Sequence, residues 1–261
     1  MKRFWQCVLL VLMFLLGILT YIQWRFNQVV QIPLTENYQS KVWSHRGVHQ
    51  NVSENTIAAF QLAKDQNFKG IELDVFYEKG QGLIVSHNIR EEALEEEILL
   101  LKEVVNEFED KFFYWVDFKN LTKEDYSSIL NEFNQIFELH PNVRSKIYIE
   151  SGNGLPLRKL SKENINCIYW VQYTKLPLKQ FFKLQYIKAL IGHSNFKGIS
   201  THFRYMDIHF KEQFQRLNWY VFTVNSPRHL QRLSNFKQVS AILTDLEGKD
   251  VFEVYDKMHS K

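Results

Sequence analysis

The chain has 261 residues, of which 45% are hydrophobic and 15% aromatic, so it can bury a sizeable core in one large domain or two small ones. Its formal net charge is only +3 and its basic residues are scattered, which argues against a nucleic-acid-binding protein. Of its two cysteines, Cys7 lies in the first apolar segment and Cys167 in the globular part. One remaining thiol excludes an intradomain disulfide and a zinc site built on thiolates.

Residues 4–24 form an apolar segment that is interrupted by only three polar residues. As a helix it would span about 30 Å, the thickness of a bilayer core, and Trp5 and Trp24 bracket it as interfacial anchors do. A cleaved signal peptide is the alternative, but no small-residue cleavage site follows the segment. We therefore predict an uncleaved transmembrane helix. Because Lys2 and Arg3 precede it, its amino terminus should be cytoplasmic and the rest of the chain non-cytoplasmic.

Residues 1–29 are predicted to form this membrane anchor and the start of a polar tether over 25–40, and residues 30–261 the globular domain. In that domain, short runs rich in β-branched and aromatic residues alternate with helical segments. Strands are predicted at 41–45, 70–76, 112–118, 146–150, 167–172, 197–200, 219–224 and 240–245. A further run, 83–87, follows 70–76 too closely for a parallel crossover and should form a hairpin with it.

Helices are predicted at 54–67, with Ser53 as N-cap, and at 98–108, 123–137, 155–160, 178–191, 207–217, 226–236 and 248–258. The acidic run at 91–97 is interpreted as a solvated surface. Strands that alternate with helices predict parallel βαβ units, and eight such units predict a TIM-type (β/α)8 barrel. A doubly wound open sheet is the alternative fold.

Polar residues lie at the carboxyl ends of the predicted strands, where the active site of such a barrel is found. They are His45, Arg46, Glu72, Asp74, His87, Asp117, Lys119, Glu150, Asn225 and Asp245. Carboxylates and cations dominate this set, which suits an anionic substrate held against a metal ion.

Three of the carboxylates form a candidate metal site. Glu72 and Asp74 are two residues apart on one strand and face the same side, and Asp117 lies at the end of the next barrel strand. Three oxygen ligands suit Mg²⁺ or Ca²⁺ better than zinc or copper. The residues alone leave a structural salt-bridge network with Arg46 and Lys119 as an equal alternative.

Two histidines flank these carboxylates. Imidazoles titrate near neutral pH, so His45 and His87 are candidates for a general acid and a general base. Arg46, beside the first of them, has the fork geometry that matches phosphate oxygens. A lone histidine at a strand end is more often a packed residue, but two beside a carboxylate cluster favour catalysis.

Four linked motifs resemble the glycerophosphodiester phosphodiesterase family. They are HRG at 45–47, ENT at 54–56, ELDV at 72–75 and a histidine followed by Asn88, with weaker agreement through 116–119, 148–151, 222–225 and 243–245. The resemblance covers roughly residues 42–247 and is strongest in the first fifth of that range.

The resemblance implies a TIM barrel and metal-dependent cleavage of a glycerophosphodiester into glycerol phosphate and an alcohol. In the mechanism usual for the family, the glycerol 2-hydroxyl attacks phosphorus and water opens the resulting cyclic phosphate. Carried over by position, one divalent cation would be bound by Glu72, Asp74 and Asp117, with His45 and His87 as acid and base and Arg46 and Lys119 on the phosphate. Glu54, Glu150 and Asn225 would lie around the site, without an assigned role.

This sequence departs from the family pattern in places that affect the substrate more than the chemistry. Ser53 replaces a proline, Asn88 replaces an aspartate, and Asp117 replaces a glutamate, as in the similar sphingomyelinase D enzymes. The segment after Asn88, which helps to define the substrate pocket in the family, is abbreviated. The expected partners are thus a glycerophosphodiester or lysophospholipid and, through residues 4–24, a membrane, with no nucleic acid. A lyase that releases a cyclic phosphate and an inactive barrel that binds phospholipid head groups are the alternatives.

Overall fold

A computed structural model of the chain describes residues 1–29, 31, 38–87, 98–172, 177–206 and 212–253. Its first element is the 26-residue helix α1, Lys2–Asn27. Within the described residues, α1 alone is long and apolar enough to cross a membrane, by criteria that a signal sequence would also meet. Its most apolar stretch is entirely unburied by the rest of the molecule.

The carboxyl end of α1 is attached to the globular part. Phe26 is buried in the main core, and Arg25 Nη2 donates to the carbonyl of Gly192 at 3.0 Å. Gln31 Nε2 donates to the carbonyl of Phe196 at 2.7 Å. The amino end of the predicted tether therefore contacts the barrel through one buried apolar side chain and two side-chain hydrogen bonds to backbone carbonyls. The tether's residues 32–37 lie outside the described part.

Nine strands form one sheet. They are β1 (Val42–Ser44), β2 (Gly70–Glu78), β3 (Gly82–Val85), β4 (Phe113–Phe118), β5 (Ile147–Ser151), β6 (Asn166–Trp170), β7 (Gly198–His202), β8 (Trp219–Phe222) and β9 (Val239–Thr244). Eight of them are parallel and close into a barrel in the order β1-β2-β4-β5-β6-β7-β8-β9, with the Ser44–Ile71 pair joining β1 to β2. The ninth, β3, pairs antiparallel with the end of β2. The predicted TIM-type barrel and hairpin are confirmed, and the open-sheet alternative is wrong.

Helices surround the barrel in the described residues. They are α2 (Tyr38–Lys41), α3 (Ile57–Asp65), α4 (Leu101–Phe108), α5 (Tyr126–Leu139), α6 (Gly154–Lys162), α7 (Pro177–Gly192) and α8 (Pro227–Ser234), with 3₁₀ turns at Glu109–Lys111, Pro141–Ser145 and Phe203–Tyr205 and a π turn at Lys249–Glu253. The first five residues of the predicted helix at 207–217, the end of the one at 248–258 and the acidic run at 91–97 lie outside the described residues.

The start of α3 differs from the prediction. Thr56, not Ser53, is the N-cap, and its Oγ1 accepts the Ala59 backbone N–H at 3.2 Å. The reason is Asn55, whose φ of 58° is left-handed and cannot continue a right-handed helix. The helix therefore begins three residues after the predicted first residue, and the ENT motif forms a loop above the barrel.

Two apolar layers hold the barrel together. Outward-facing strand residues such as Ile71, Leu73 and Val75 are fully buried against the helices. The interior holds a second, mainly aromatic cluster: Trp43, Trp115, Tyr148, Ile168, Tyr220, Ala241 and Leu243. This interior cluster fills the barrel, so any cleft at the carboxyl ends of the strands has a closed floor.

At the end of the barrel opposite the carboxyl ends of the strands, Lys41 contacts the last helix. It is only 2% exposed, and its Nζ donates to the backbone carbonyl of Ser234, the last residue of α8, at 3.0 Å. A cation at a helix carboxyl terminus satisfies orphan carbonyls and complements the helix dipole. Lys41 thus ties the chain just before β1 to the last helix of the barrel.

Candidate active site

The barrel register places three carboxylates in one row. Asp74 on β2 pairs with Asp117 on β4, which pairs with Glu150 on β5. Glu72 lies two residues before Asp74 on the same face of β2, one step deeper in the barrel. Oxygens of Glu72, Asp74 and Asp117 lie within 4.8 Å of one another.

The HRG loop brings a backbone donor and a guanidinium to this row. Arg46 adopts a left-handed φ of 58°, and its backbone N–H donates to Glu72 Oε2 at 3.0 Å. Gly47 follows at φ 78°, and a Cβ there would lie 2.7 Å from atoms of Ala59. Only glycine fits both the conformation and the contact. This loop therefore has strained backbone at the mouth of the barrel, as functional loops often do.

Asp74 is the most heavily contacted carboxylate. Its Oδ2 lies 2.9 Å from Arg46 Nε, 2.8 Å from Asn55 Nδ2 and 3.2 Å from His87 Nδ1. Lys119 Nζ lies 2.5 Å from its Oδ1. Burial alone would raise the pKa of Asp74, but Lys119, Asn55 and Arg46 together lower it. Asp74 is therefore ionised. It is held by contacts with Arg46 and Asn55, which lie between β1 and α3, and with His87 and Lys119, which follow β3 and β4.

Glu72 and Asp117 are less well compensated. Burial, followed by the charges of Asp74 and Asp117, raises the pKa of Glu72 well above its usual range. Burial also raises the pKa of Asp117, although Lys119 contacts it directly and partly offsets the effect. The same two aspartates raise the pKa of Lys119 against the opposing effect of its burial. The cluster thus lacks positive charge, and its three hard oxygen donors fit a divalent cation.

His45 is held by a carboxylate that lies 200 positions away in the chain. Its Nδ1 lies 2.7 Å from Asp245 Oδ1, while its Nε2 lies 3.8 Å from Glu72 Oε2. Asn225 Nδ2 donates to Asp245 Oδ2 at 2.6 Å, and Asn225 Oδ1 accepts the Asp245 backbone N–H at 2.8 Å. Burial would raise the pKa of Asp245, but bonding to His45 and Asn225 lowers it to about 2. His45 therefore donates Nδ1–H to an ionised carboxylate and presents Nε2 to the barrel mouth.

Two further carboxylates have distinct surroundings. Glu150 is 4% exposed; its Oε2 accepts Trp115 Nε1–H at 2.8 Å and its Oε1 contacts Ser200 Oγ. Burial, then the charge of Asp117, raises the pKa of Glu150 to about 8. Glu54 precedes α3, and its Oε1 accepts Arg46 Nη1–H at 2.8 Å.

A cleft of about 600 Å³ opens above these groups. Its polar lining includes His45, Arg46, Glu72, Asp117, Lys119 and Glu150, and its apolar lining includes Trp170, Phe222 and Leu243. Of the ten residues assigned to the site from the sequence, the six polar residues just named line this cleft, and Asp74 and Glu54 contact a residue that lines it. The other two, His87 and Asn225, are one contact further away, through Asp74 and Asp245. Asn55 and Asp245, which were given no role, complete the network; the ENT motif and the strand-end position were the signals for them.

Comparison with known proteins finds similarity in the segment that carries most of the site. Residues 45–125, which carry most of the network, match the model of the glycerophosphoryl diester phosphodiesterase family. This match covers residues 45–125 of the 261, so the likeness to the family is shown for that segment. A glycerophosphodiester phosphodiesterase of Caldanaerobacter subterraneus subsp. tengcongensis is 51% identical over 47 residues, which are 18% of this chain and 19% of that protein. The chain therefore matches about a fifth of the length of this curated relative.

Solved structures of similar fold extend the likeness to the rest of the barrel. A glycerophosphodiester phosphodiesterase of Parabacteroides distasonis has a TM-score of 0.65 at 16% identity, covering 85% of this chain and 99% of that one. An Oleispira antarctica phosphodiesterase in complex with the product sn-glycerol-3-phosphate has a TM-score of 0.62 at 15% identity, covering 84% and 98%. At these identities the likeness shows the barrel fold alone.

Proposed function

We propose that this protein is a metal-dependent phosphodiesterase that hydrolyses a glycerophosphodiester to glycerol phosphate and an alcohol. The observation that carries the proposal is the convergence of Glu72, Asp74 and Asp117 within 4.8 Å, inside the segment that matches the family. Hard carboxylate oxygens beside a guanidinium and an ammonium group suit a phosphate held against a cation.

One divalent cation, Mg²⁺ or Ca²⁺, would be held by Glu72, Asp74 and Asp117. When bound, it would polarise phosphoryl oxygens and stabilise charge that develops at phosphorus. Arg46 and Lys119 line the cleft and have their cationic groups beside Asp74. They would orient the phosphate through charge-assisted hydrogen bonds.

The two histidines supply the proton transfers in this proposal. With Nδ1–H donated to Asp245, His45 has Nε2 available to accept the proton of the substrate's glycerol 2-hydroxyl. The 2-oxygen then forms a bond to phosphorus as the bond to the leaving alcohol breaks. His87, held at Nδ1 by Asp74, would protonate that alcohol. Water then opens the cyclic phosphate, and the two histidines exchange roles.

We further infer that α1 spans a membrane, with its amino terminus cytoplasmic and the barrel on the non-cytoplasmic side. The length and apolarity of α1 and the basic residues before it support this arrangement. The apolar lining of the cleft by Trp170, Phe222 and Leu243 suits a substrate with an acylated glycerol, so lysophospholipids join the candidate substrates.

A substrate panel tests the proposal. Glycerophosphocholine, glycerophosphoethanolamine and lysophosphatidylcholine are incubated with the full chain, with and without a chelator. We expect turnover that the chelator abolishes and that His45→Ala lowers about 100- to 10,000-fold, as loss of a general base does. His140→Ala is the control, because His140 is an exposed residue bonded to Asn106 on the helical surface.

Turnover that is unchanged by both the chelator and His45→Ala would refute the mechanism. If the protein shows neither metal binding nor turnover, the enzyme assignment is refuted. Phosphorus NMR of the product provides a further check. A cyclic phosphate that persists would identify a lyase instead of a hydrolase.

A further inference from the structure

Helix α7 is apolar on two opposite faces. Ile187 and Ile191 are buried against the barrel, while Leu178, Phe182 and Tyr186, four residues apart, form a line on the outer face. A helix that packs on a globular core normally has one apolar face and one polar face. The outer line therefore needs a second apolar environment.

This outer line is strongly exposed in the described part of the molecule. Leu178 is 71% exposed, Phe182 63% and Tyr186 46%, and Phe181 beside them is 44% exposed. Single exposed apolar side chains are ordinary on protein surfaces, but a contiguous group of this size marks a contact surface. We call these four residues the α7 stripe.

Helix α1 covers the same face of α7 at its other end. Gly192 in the last turn lies eleven residues after Phe181, and so on the same side of α7, and the Arg25 Cβ is 3.2 Å from the position that a Cβ would take at Gly192. The Tyr21 ring of α1 lies 6.0 Å from the ring of His193. The candidate membrane span α1 thus packs against the side of α7 that carries the stripe.

The charges beside the stripe indicate which apolar environment it meets. Lys179 and Lys183 lie within the same two turns, and α7 contains no aspartate or glutamate. Aromatic and aliphatic side chains next to lysines are the composition of helices that lie in the headgroup region of an anionic bilayer. A second copy of α7 is a poorer fit, because pairing the stripe with itself brings lysines together without compensating acidic residues in that helix.

We propose that the α7 stripe is a membrane-docking surface that lies on anionic lipid beside the membrane span α1. This contact goes beyond the proposed catalytic function and does not depend on it. Its position bears on the cleft, because Trp170, which lines the cleft, lies seven residues before the first residue of α7. Docking would hold that side of the barrel at the lipid surface.

Fluorescence quenching in nanodiscs of phosphatidylcholine and phosphatidylglycerol tests the proposal with the full chain. A polarity-sensitive fluorophore is attached at Phe182→Cys in a Cys7→Ser background, where the fully buried Cys167 does not react. The matched control is Leu139→Cys at the end of α5, because Leu139 is apolar and 70% exposed and α5 connects β4 to β5, whereas α7 connects β6 to β7. Thermal melts of both labelled variants check that each is folded.

We expect the label at position 182 to emit at shorter wavelength in nanodiscs and to lose iodide quenching several-fold, while the label at 139 stays open to iodide. Reversing the charges with Lys179→Glu and Lys183→Glu should restore quenching at position 182. Equal quenching at both positions would overturn the proposal. If the label at position 182 is protected from iodide in detergent and the protection increases with protein concentration, the stripe contacts a second copy of the chain. That result would also overturn the proposal.

Discussion

Asp245→Asn is the most informative single change in the site. Asp245 accepts from His45 with one oxygen and from Asn225 with the other. The orientation of Asn225 is fixed, since its Oδ1 already accepts the Asp245 backbone N–H at 2.8 Å. A new amide at position 245 must therefore give its oxygen to Asn225 and its NH₂ group to His45. The amide would force His45 to accept at Nδ1 and to carry its proton on Nε2, the nitrogen that should accept the substrate proton.

The size of the effect follows from the bond that is lost. A hydrogen bond to a charged group contributes about 1.5–3 kcal/mol, which corresponds to about 10- to 150-fold in rate. The 2.7 Å separation and the partly buried carboxylate argue for the upper part of that range. Because Asp245→Asn imposes the wrong tautomer, it should be at least as damaging as Asp245→Ala, which imposes none.

The assay is kcat/KM for glycerophosphocholine, with Asp65→Asn as the matched control, because Asp65 is exposed at the end of α3. The exchange variant Asn225→Asp with Asp245→Asn gives the new amide a carboxylate partner for its NH₂ group, leaving its oxygen for His45. This double variant should recover part of the lost activity. If Asp245→Asn retains wild-type kcat/KM, or if the exchange variant is no better than the single one, the tautomer argument is wrong.

Three further outcomes are expected. Asp117→Asn should weaken binding of Mg²⁺ or Ca²⁺ in calorimetry at least about tenfold, equal to 1.4 kcal/mol, and unchanged affinity would remove Asp117 from the metal site. Glu150 has a folded pKa raised to about 8, so its stabilising contribution is present below the unfolded value near 4.5 and is lost as pH rises toward 8. In urea unfolding of chelator-treated protein, the free energy of unfolding of Glu150→Gln should fall between pH 5 and 8 by on the order of 3 kcal/mol less than that of the wild type. Parallel curves of this free energy against pH would contradict the prediction. Lys41→Met should cost about 1–3 kcal/mol in unfolding without lowering kcat/KM per folded molecule, since it leaves the Ser234 carbonyl unsatisfied far from the cleft.

The fold was predictable because each strand is a short apolar run between polar ends, and eight of them alternate with helices. The boundaries of the helices and strands were less predictable. The predicted helix at 54–67 starts instead at Ile57, because the left-handed backbone of Asn55 depends on its bonds to Asp74 across the loop. The attachment of Gln31 and Phe26 to the barrel likewise depends on partners more than 160 residues away. Neither kind of contact leaves a periodic signal in the sequence.

The site was predictable where its residues are close in sequence and incomplete where barrel closure brings them together. Glu72 and Asp74 could be placed on one face by the two-residue repeat of a strand. The carboxylate partner of His45 could not be identified, because β1 meets β9 only when the barrel closes. The row from Asp74 through Asp117 to Glu150 is set by strand register, which the sequence does not encode locally.

The sequence left a salt-bridge network and a metal site as alternatives, and the same side chains would form either one. Lys119 bridges Asp74 and Asp117, and Arg46 pairs with Asp74, so ion pairs hold the carboxylates in position. Glu72, however, is buried beside both aspartates, and these two cations leave its pKa well above its usual range. A network that served stability alone would gain by replacing Glu72 with an apolar residue, since burying an uncompensated carboxylate is costly. The deficit of positive charge around Glu72 therefore favours the proposed cation site over a network that serves stability alone.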